Sequence, residues 1–144
     1  MSVYAVYDTN VLVSALLSRN ANAATVKVLD ACLEKQQIIP VYNDDIIKEY
    51  REVLLRPKFH FPEPLVMAVI KKLIAIGVHS DAIHSDEHFV DPKDIVFYEV
   101  AISKDGAYLI TGNQKHFPNT PIVVTPAEIY LKIGRAVQQE CRDR

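Results

Sequence analysis

The 144-residue chain is predicted to fold as a three-layer α/β/α sandwich around a mostly parallel sheet of four to five strands. Short, continuously apolar, β-rich runs recur along it, as in strands covered on both faces. Stretches of helical apolar period separate those runs, which is the alternation of a parallel α/β sheet. No repeat, low-complexity tract or linker interrupts the pattern, and the 8 prolines mark element boundaries, so residues 1–144 read as a single domain.

Val3 to Tyr7 is the first apolar run and the first expected strand. Thr9 or Asn10 is placed to cap a helix reaching about Leu17. A second helix is expected from Ala23 to Lys35, with Val26, Leu29 and Leu33 on one face, followed by a strand at Ile38 to Val41. Asn43 or Asp44 caps the next helix, to about Leu55, which the proline-bearing segment Arg56 to Pro62 breaks. Pro64 to Ile76 is another helix, ended by Gly77. A weak strand at Val78 to Ile83 leads into a polar loop carrying His84, Asp86, Glu87 and His88. Asp91 then caps a helix with Pro92 in its first position, to about Lys104. Strands follow at Ala107 to Thr111 and Ile122 to Val124, and Thr125 to Glu128 forms a capping box opening the last helix. Within it, Ile129 to Val137 has apolar spacing that suits core or interface, weakened by Gly134.

At 49% hydrophobic and 24% charged residues, the chain has enough apolar surface for a sizeable core. No run approaches the roughly 20 apolar residues that span a bilayer, and no leader is expected, which places the chain in the cytoplasm. Cys32 and Cys141 lie far apart with no CxxC, so they are expected to be plain thiols rather than a disulfide or zinc site. A net charge of −2 argues against a protein that coats nucleic acid, yet suits an enzyme that meets phosphates through metal ions held by carboxylates.

Three acids stand out by position. Asp8 ends the first strand, and open α/β sheets bind ligands beyond the carboxyl ends of their strands; it equally suits a helix cap. Ile46, Tyr50 and Val53 define the inner stripe of their helix, and Glu49 projects beside Val53 at its edge, while Lys48 and Glu52 point away. Asp94 shares a face with Phe97, Tyr98 and Ala101, with Lys93 and Glu99 outward, although an acid in a first turn also suits the helix dipole. Carboxylates converging in this way repel unless a divalent cation joins them, and hard oxygen ligands favour Mg²⁺ or Mn²⁺. Such ions activate water and hold a phosphodiester for in-line displacement.

The segments DTNVLVSALL from Asp8, EYREVLLRPKF from Glu49, DPKDIVFYEVAISKDGAYLITGNQKHF from Asp91 and IVVTPAEIY from Ile122 together resemble a PIN-domain ribonuclease, in the family's order. The resemblance implies a metal-dependent endoribonuclease with Asp8, Glu49 and Asp94 as its first, second and third catalytic and metal-binding acids. The family's fourth acid is replaced here by Asn113, a possible carbonyl ligand, and the position three residues on, where some relatives carry an aspartate, is His116. Thr9, Asn10 and Thr111 are candidates for supporting the acids.

EYREVLLRPKF resembles VapC-like toxins of bacterial toxin–antitoxin pairs, which implies RNA as substrate, a cognate antitoxin and a homodimer. Near Glu49, Lys48, Arg51, Arg56, Lys58 and His60 form a modest basic neighbourhood for RNA, with Phe59 and Phe61 available for stacking. A haloacid-dehalogenase-like aspartyl mechanism is disfavoured because Asn10 stands where it needs a second acid. The remaining alternative is a catalytically impaired module that binds RNA or a partner.

Overall fold

A computed structural model describes residues 2–142, with side chains from 2 through 135. The side chains of Val137 and Cys141 lie outside the described residues. The chain alternates as β1 (Val3–Tyr7), α1 (Thr9–Leu17), α2 (Ala24–Leu33), β2 (Ile38–Tyr42), α3 (Asp44–Leu54), α4 (Glu63–Ile76), β3 (Val78–His79), α5 (Ile95–Ser103), β4 (Tyr108–Ile110), β5 (Val123–Val124) and α6 (Pro126–Arg142). The strands form one five-stranded sheet in the order β3-β2-β1-β4-β5, and every pair is parallel. The expected α/β sandwich with a parallel sheet is therefore the observed fold.

β1 is the central strand. Ala5 pairs with Pro40 of β2 on one side and with Tyr108 of β4 on the other. Ala5, Val6 and Tyr7 are all buried, as successive strand residues are when both faces of a sheet are covered. α5 packs on β1 and β4, α2 and α4 on β2, and α6 on α2. The Tyr7 hydroxyl donates to the Val28 carbonyl at 2.6 Å, fixing α2 to β1. From β1 the chain moves outward through β2 to β3, then returns across to β4. The strand order therefore reverses between β1 and β4, where such folds leave a crevice at the strands' carboxyl ends.

Several local expectations change. Asp8, not Thr9 or Asn10, is the N-cap of α1, because its carboxylate reaches the Asn10 N–H. The inner stripe of α2 is Val28, Leu29, Ala31 and Cys32, while Val26 and Leu33 are half-buried beside it. The strand expected over Val78 to Ile83 leaves the sheet after His79. Beyond it, the Ile83 N–H donates to the Glu99 carbonyl and the Ser85 N–H to Glu99 Oε2 at 2.7 Å, so the chain is drawn onto α5. Glu99 is therefore a covered anchor for that loop rather than an outward residue. Asp91 and Pro92 open a 3-10 turn, Pro92–Asp94, and α5 starts one residue later. Other starts fall as read: Asn43 caps α3 through the Ile46 N–H, and Thr125 and Glu128 bond reciprocally at the start of α6. Cys32 is a buried free thiol, pushed up to about 12 by burial despite the nearby Tyr7 hydroxyl, which leaves it unreactive.

Candidate active site

Asp8 is 4% exposed and does two jobs at the carboxyl end of β1. Oδ1 caps α1, and Oδ2 accepts the Thr111 hydroxyl at 2.8 Å from the end of β4. Thr111 is fully buried and its Oγ1 also accepts the Asn113 N–H at 3.0 Å. Beneath them, Tyr50 of α3 donates its hydroxyl to the Tyr7 carbonyl at 2.5 Å, bonding the residue before Asp8.

A cleft of about 200 Å³ opens over Asp8, and Glu49 and Asp94 line it with Thr9, Asn10, Val53, Arg56, Asp91, Lys93 and Phe97. The three acids thus come to one cleft from β1, α3 and the turn before α5. Glu49 is half-buried while Lys48 and Glu52 are exposed, as the helical spacing implied. Phe97, Tyr98 and Ala101 are buried, which seats the Asp94 face against the core. Lys93, expected to point outward, is exposed yet lines the cleft, because the 3-10 turn winds more tightly than an α-helix. Asp91 caps that turn through the Lys93 N–H at 3.0 Å and also faces the cleft.

Burial raises the Asp8 carboxyl above the usual range, partly offset by the Thr111 hydroxyl and the Asn10 N–H. Asp94 is pushed up to about 6, first by burial and then by the charges of Asp8 and Asp91, with His116 opposing. His116 Nδ1 stands 3.6 Å from Asp94 Oδ2. Among the described residues, no three His, Cys, Asp or Glu side chains close to chelating distance. The chemistry of the cleft nevertheless fits a hard divalent cation: its donors are carboxylate oxygens, Asp94 is raised first by burial and then by the neighbouring charges of Asp8 and Asp91, and the buried hydroxyl of Thr9, a residue of the cleft lining, has no hydrogen-bond partner among the described residues.

The other candidates are not brought in. Asn113 is exposed and does not line the cleft; its backbone serves Thr111 instead. Arg51 lies in a separate depression with Tyr42, Lys48 and His79. Lys58 sits over the Phe59 ring at 5.1 Å, and Phe59 stacks on Phe61 at 5.6 Å, so those aromatic faces already meet other side chains. Only Arg56 of the basic neighbourhood reaches the acids.

A family model for the PIN domain matches residues 4–115, well over half of the chain. The chain belongs to the PIN-domain family. PIN domains are generally nucleases and typically use divalent metals, which agrees with an acid-lined cleft at the switch point of the sheet. The matched span contains Asp8, Glu49, Asp94 and Asn113, and ends one residue before His116. No curated protein matches the chain.

Sequence reasoning missed two parts of this PIN-domain site. Tyr50 read only as a member of an apolar stripe, and its hydroxyl was the available signal, since a buried phenol must find an acceptor. His116 was read as a missing acid, and its contact with Asp94 emerges only when β4 and α5 are packed together.

Proposed function

We propose that this PIN domain is a Mg²⁺- or Mn²⁺-dependent endoribonuclease with Asp8, Glu49 and Asp94 as its catalytic acids, and the VapC-like toxin of a bacterial toxin–antitoxin pair. The observation that carries the reading is the shared cleft: three carboxylates from separate segments line it together with two basic side chains, Arg56 and Lys93. A divalent cation held by the three acids would activate water and neutralise charge on the phosphodiester. Arg56 and Lys93 would bind phosphate oxygens at the rim. Thr111 and Tyr50 would keep the Asp8 carboxylate aimed into the cleft. In this reading the protein works in the cytoplasm, as a homodimer held in check by a cognate antitoxin.

A nuclease assay on mixed RNA with Mg²⁺ or Mn²⁺ tests the activity. Metal-dependent cleavage should fall at least about a hundredfold in Asp8→Asn. Cleavage unchanged by that substitution would sink the assignment. Growth arrest on expression, absent for Asp8→Asn and relieved by the product of the neighbouring gene, tests the toxin role.

The pairing of His116 with Asp94 and the outward Asn113 favour a second reading, in which the fold is kept as an RNA- or partner-binding module with an impaired metal site. RNA binding without cleavage under any metal would support it.

A further inference from the structure

Asn10 stands in the first turn of α1, two residues past Asp8, and lines the acid cleft. Its backbone N–H donates to Asp8 Oδ1 at 3.3 Å, which fixes residue 10 beside the buried acid. The ordinary reason for an asparagine at a helix start is capping, but Asp8 already fills that role for α1. Thr9 is buried, whereas Asn10 is exposed, and its carboxamide has no protein partner among the described residues.

The other polar side chains of the lining are four carboxylates, Arg56, Lys93 and the buried Thr9 hydroxyl. Carboxylates only accept hydrogen bonds, and Arg and Lys only donate them. Asn10 is therefore the one exposed group of this lining that does both at once, through its amide N–H and its carbonyl oxygen. A ribose 2′-hydroxyl is likewise donor and acceptor, and it is the group that separates RNA from DNA. It is borne by the carbon next to the one whose oxygen joins the phosphate, so a strand whose phosphate meets the acids brings a 2′-hydroxyl into the cleft with it.

We propose that Asn10 reads the sugar: its carboxamide exchanges hydrogen bonds with a ribose 2′-hydroxyl and makes the cleft prefer RNA to DNA. Deoxyribose leaves the amide without that partner. Because Asn10 is exposed, water takes the vacated place, and the preference is about tenfold rather than the roughly ten-thousandfold of a fully enclosed polar site. This role rests on the preceding section only in taking the cleft to receive a nucleic-acid strand. It holds for a site that cleaves and for one that only binds.

The test compares single strands of one mixed sequence made as RNA, DNA and 2′-fluoro RNA, as substrates with Mn²⁺ and as ligands with Ca²⁺, by gel and by fluorescence anisotropy. The 2′-fluoro strand keeps the sugar pucker of RNA but cannot donate a hydrogen bond, which separates pucker from contact. Wild type should favour RNA over both other strands by about tenfold, in cleavage or, where no strand is cut, in binding. Asn10→Ala should lose most of that preference, its RNA value falling further than its DNA value. The 2′-fluoro comparison needs no variant and decides the matter even where Asn10→Ala fails to fold. RNA and DNA treated alike by wild type, 2′-fluoro RNA treated as RNA, or an RNA preference kept in folded Asn10→Ala overturns the sugar role and leaves the nuclease reading to the Asp8→Asn assay. Sugar-selective binding without cleavage, lost in Asn10→Ala, supports the sugar role and overturns the nuclease reading. Neither cleavage nor binding of any strand overturns both.

Discussion

The Thr111 hydroxyl donates to Asp8 Oδ2 at 2.8 Å, joining the carboxyl ends of β4 and β1 at the point where the strand order reverses. Thr111→Val keeps the shape and removes that donor, and it also strips the Asn113 N–H of its acceptor. The expected cost is roughly 1–3 kcal/mol, read as a lower denaturant midpoint. Because the hydroxyl lowers the Asp8 pKa, its loss raises that pKa further, so the acid limb of any nuclease activity should move to higher pH.

Tyr50→Phe removes the bond to the Tyr7 carbonyl while leaving the ring beside Phe97. A buried carbonyl without its partner should cost about 1–3 kcal/mol in chemical denaturation. If the bond also aims Asp8, metal affinity should fall in the same variant at a temperature where it is fully folded.

Asp94 makes the metal-free protein pH-dependent. Its folded pKa, about 6, lies above the unfolded value near 3.9, so the folded state holds this proton more tightly. Its contribution is fully present below about pH 4 and is lost as pH rises through about 6. With chelator present, the unfolding free energy of wild type from urea titration should therefore fall across that window relative to Asp94→Asn, by on the order of 1–2 kcal/mol after allowing for solvent screening. Saturating Mn²⁺ should remove the difference in slope, since the cation takes over the charge.

Gly77 ends α4 against the sheet. A Cβ there would lie 2.6 Å from both the Leu73 and Pro40 carbonyl oxygens and 2.9 Å from Tyr42 Cε1. Two of those neighbours are backbone, so Gly77→Ala should force α4 away from β2 and destabilise the fold by roughly 1–3 kcal/mol. Thermal unfolding measures it, with Gly112→Ala as control because no atom lies within 4 Å of a Cβ at that position.

The parts legible in sequence were those governed by local rules. Apolar runs located four of the five strands to within one or two residues, and caps at Asn43 and Thr125 set two helix starts. The spacing around Tyr50 turned Glu49 inward, and the strand-end position of Asp8 put it at the cleft. What failed depended on contacts between distant segments. β3 is short because Glu99, on α5, takes the backbone donors of the segment after it. Arg51 and Arg56 looked equivalent along the chain, but the end of α3 turns only Arg56 toward the acids. No local pattern couples His116 to Asp94, which lie on opposite sides of a strand that has yet to pair.

Both margins of the sheet are two-residue strands, Val78–His79 and Val123–Val124. A second copy that tried to lengthen the sheet by adding its own strand would find almost no free ladder to bond with. Joining two copies by strand addition at either margin is thereby disfavoured, because each edge offers only two residues of free backbone ladder.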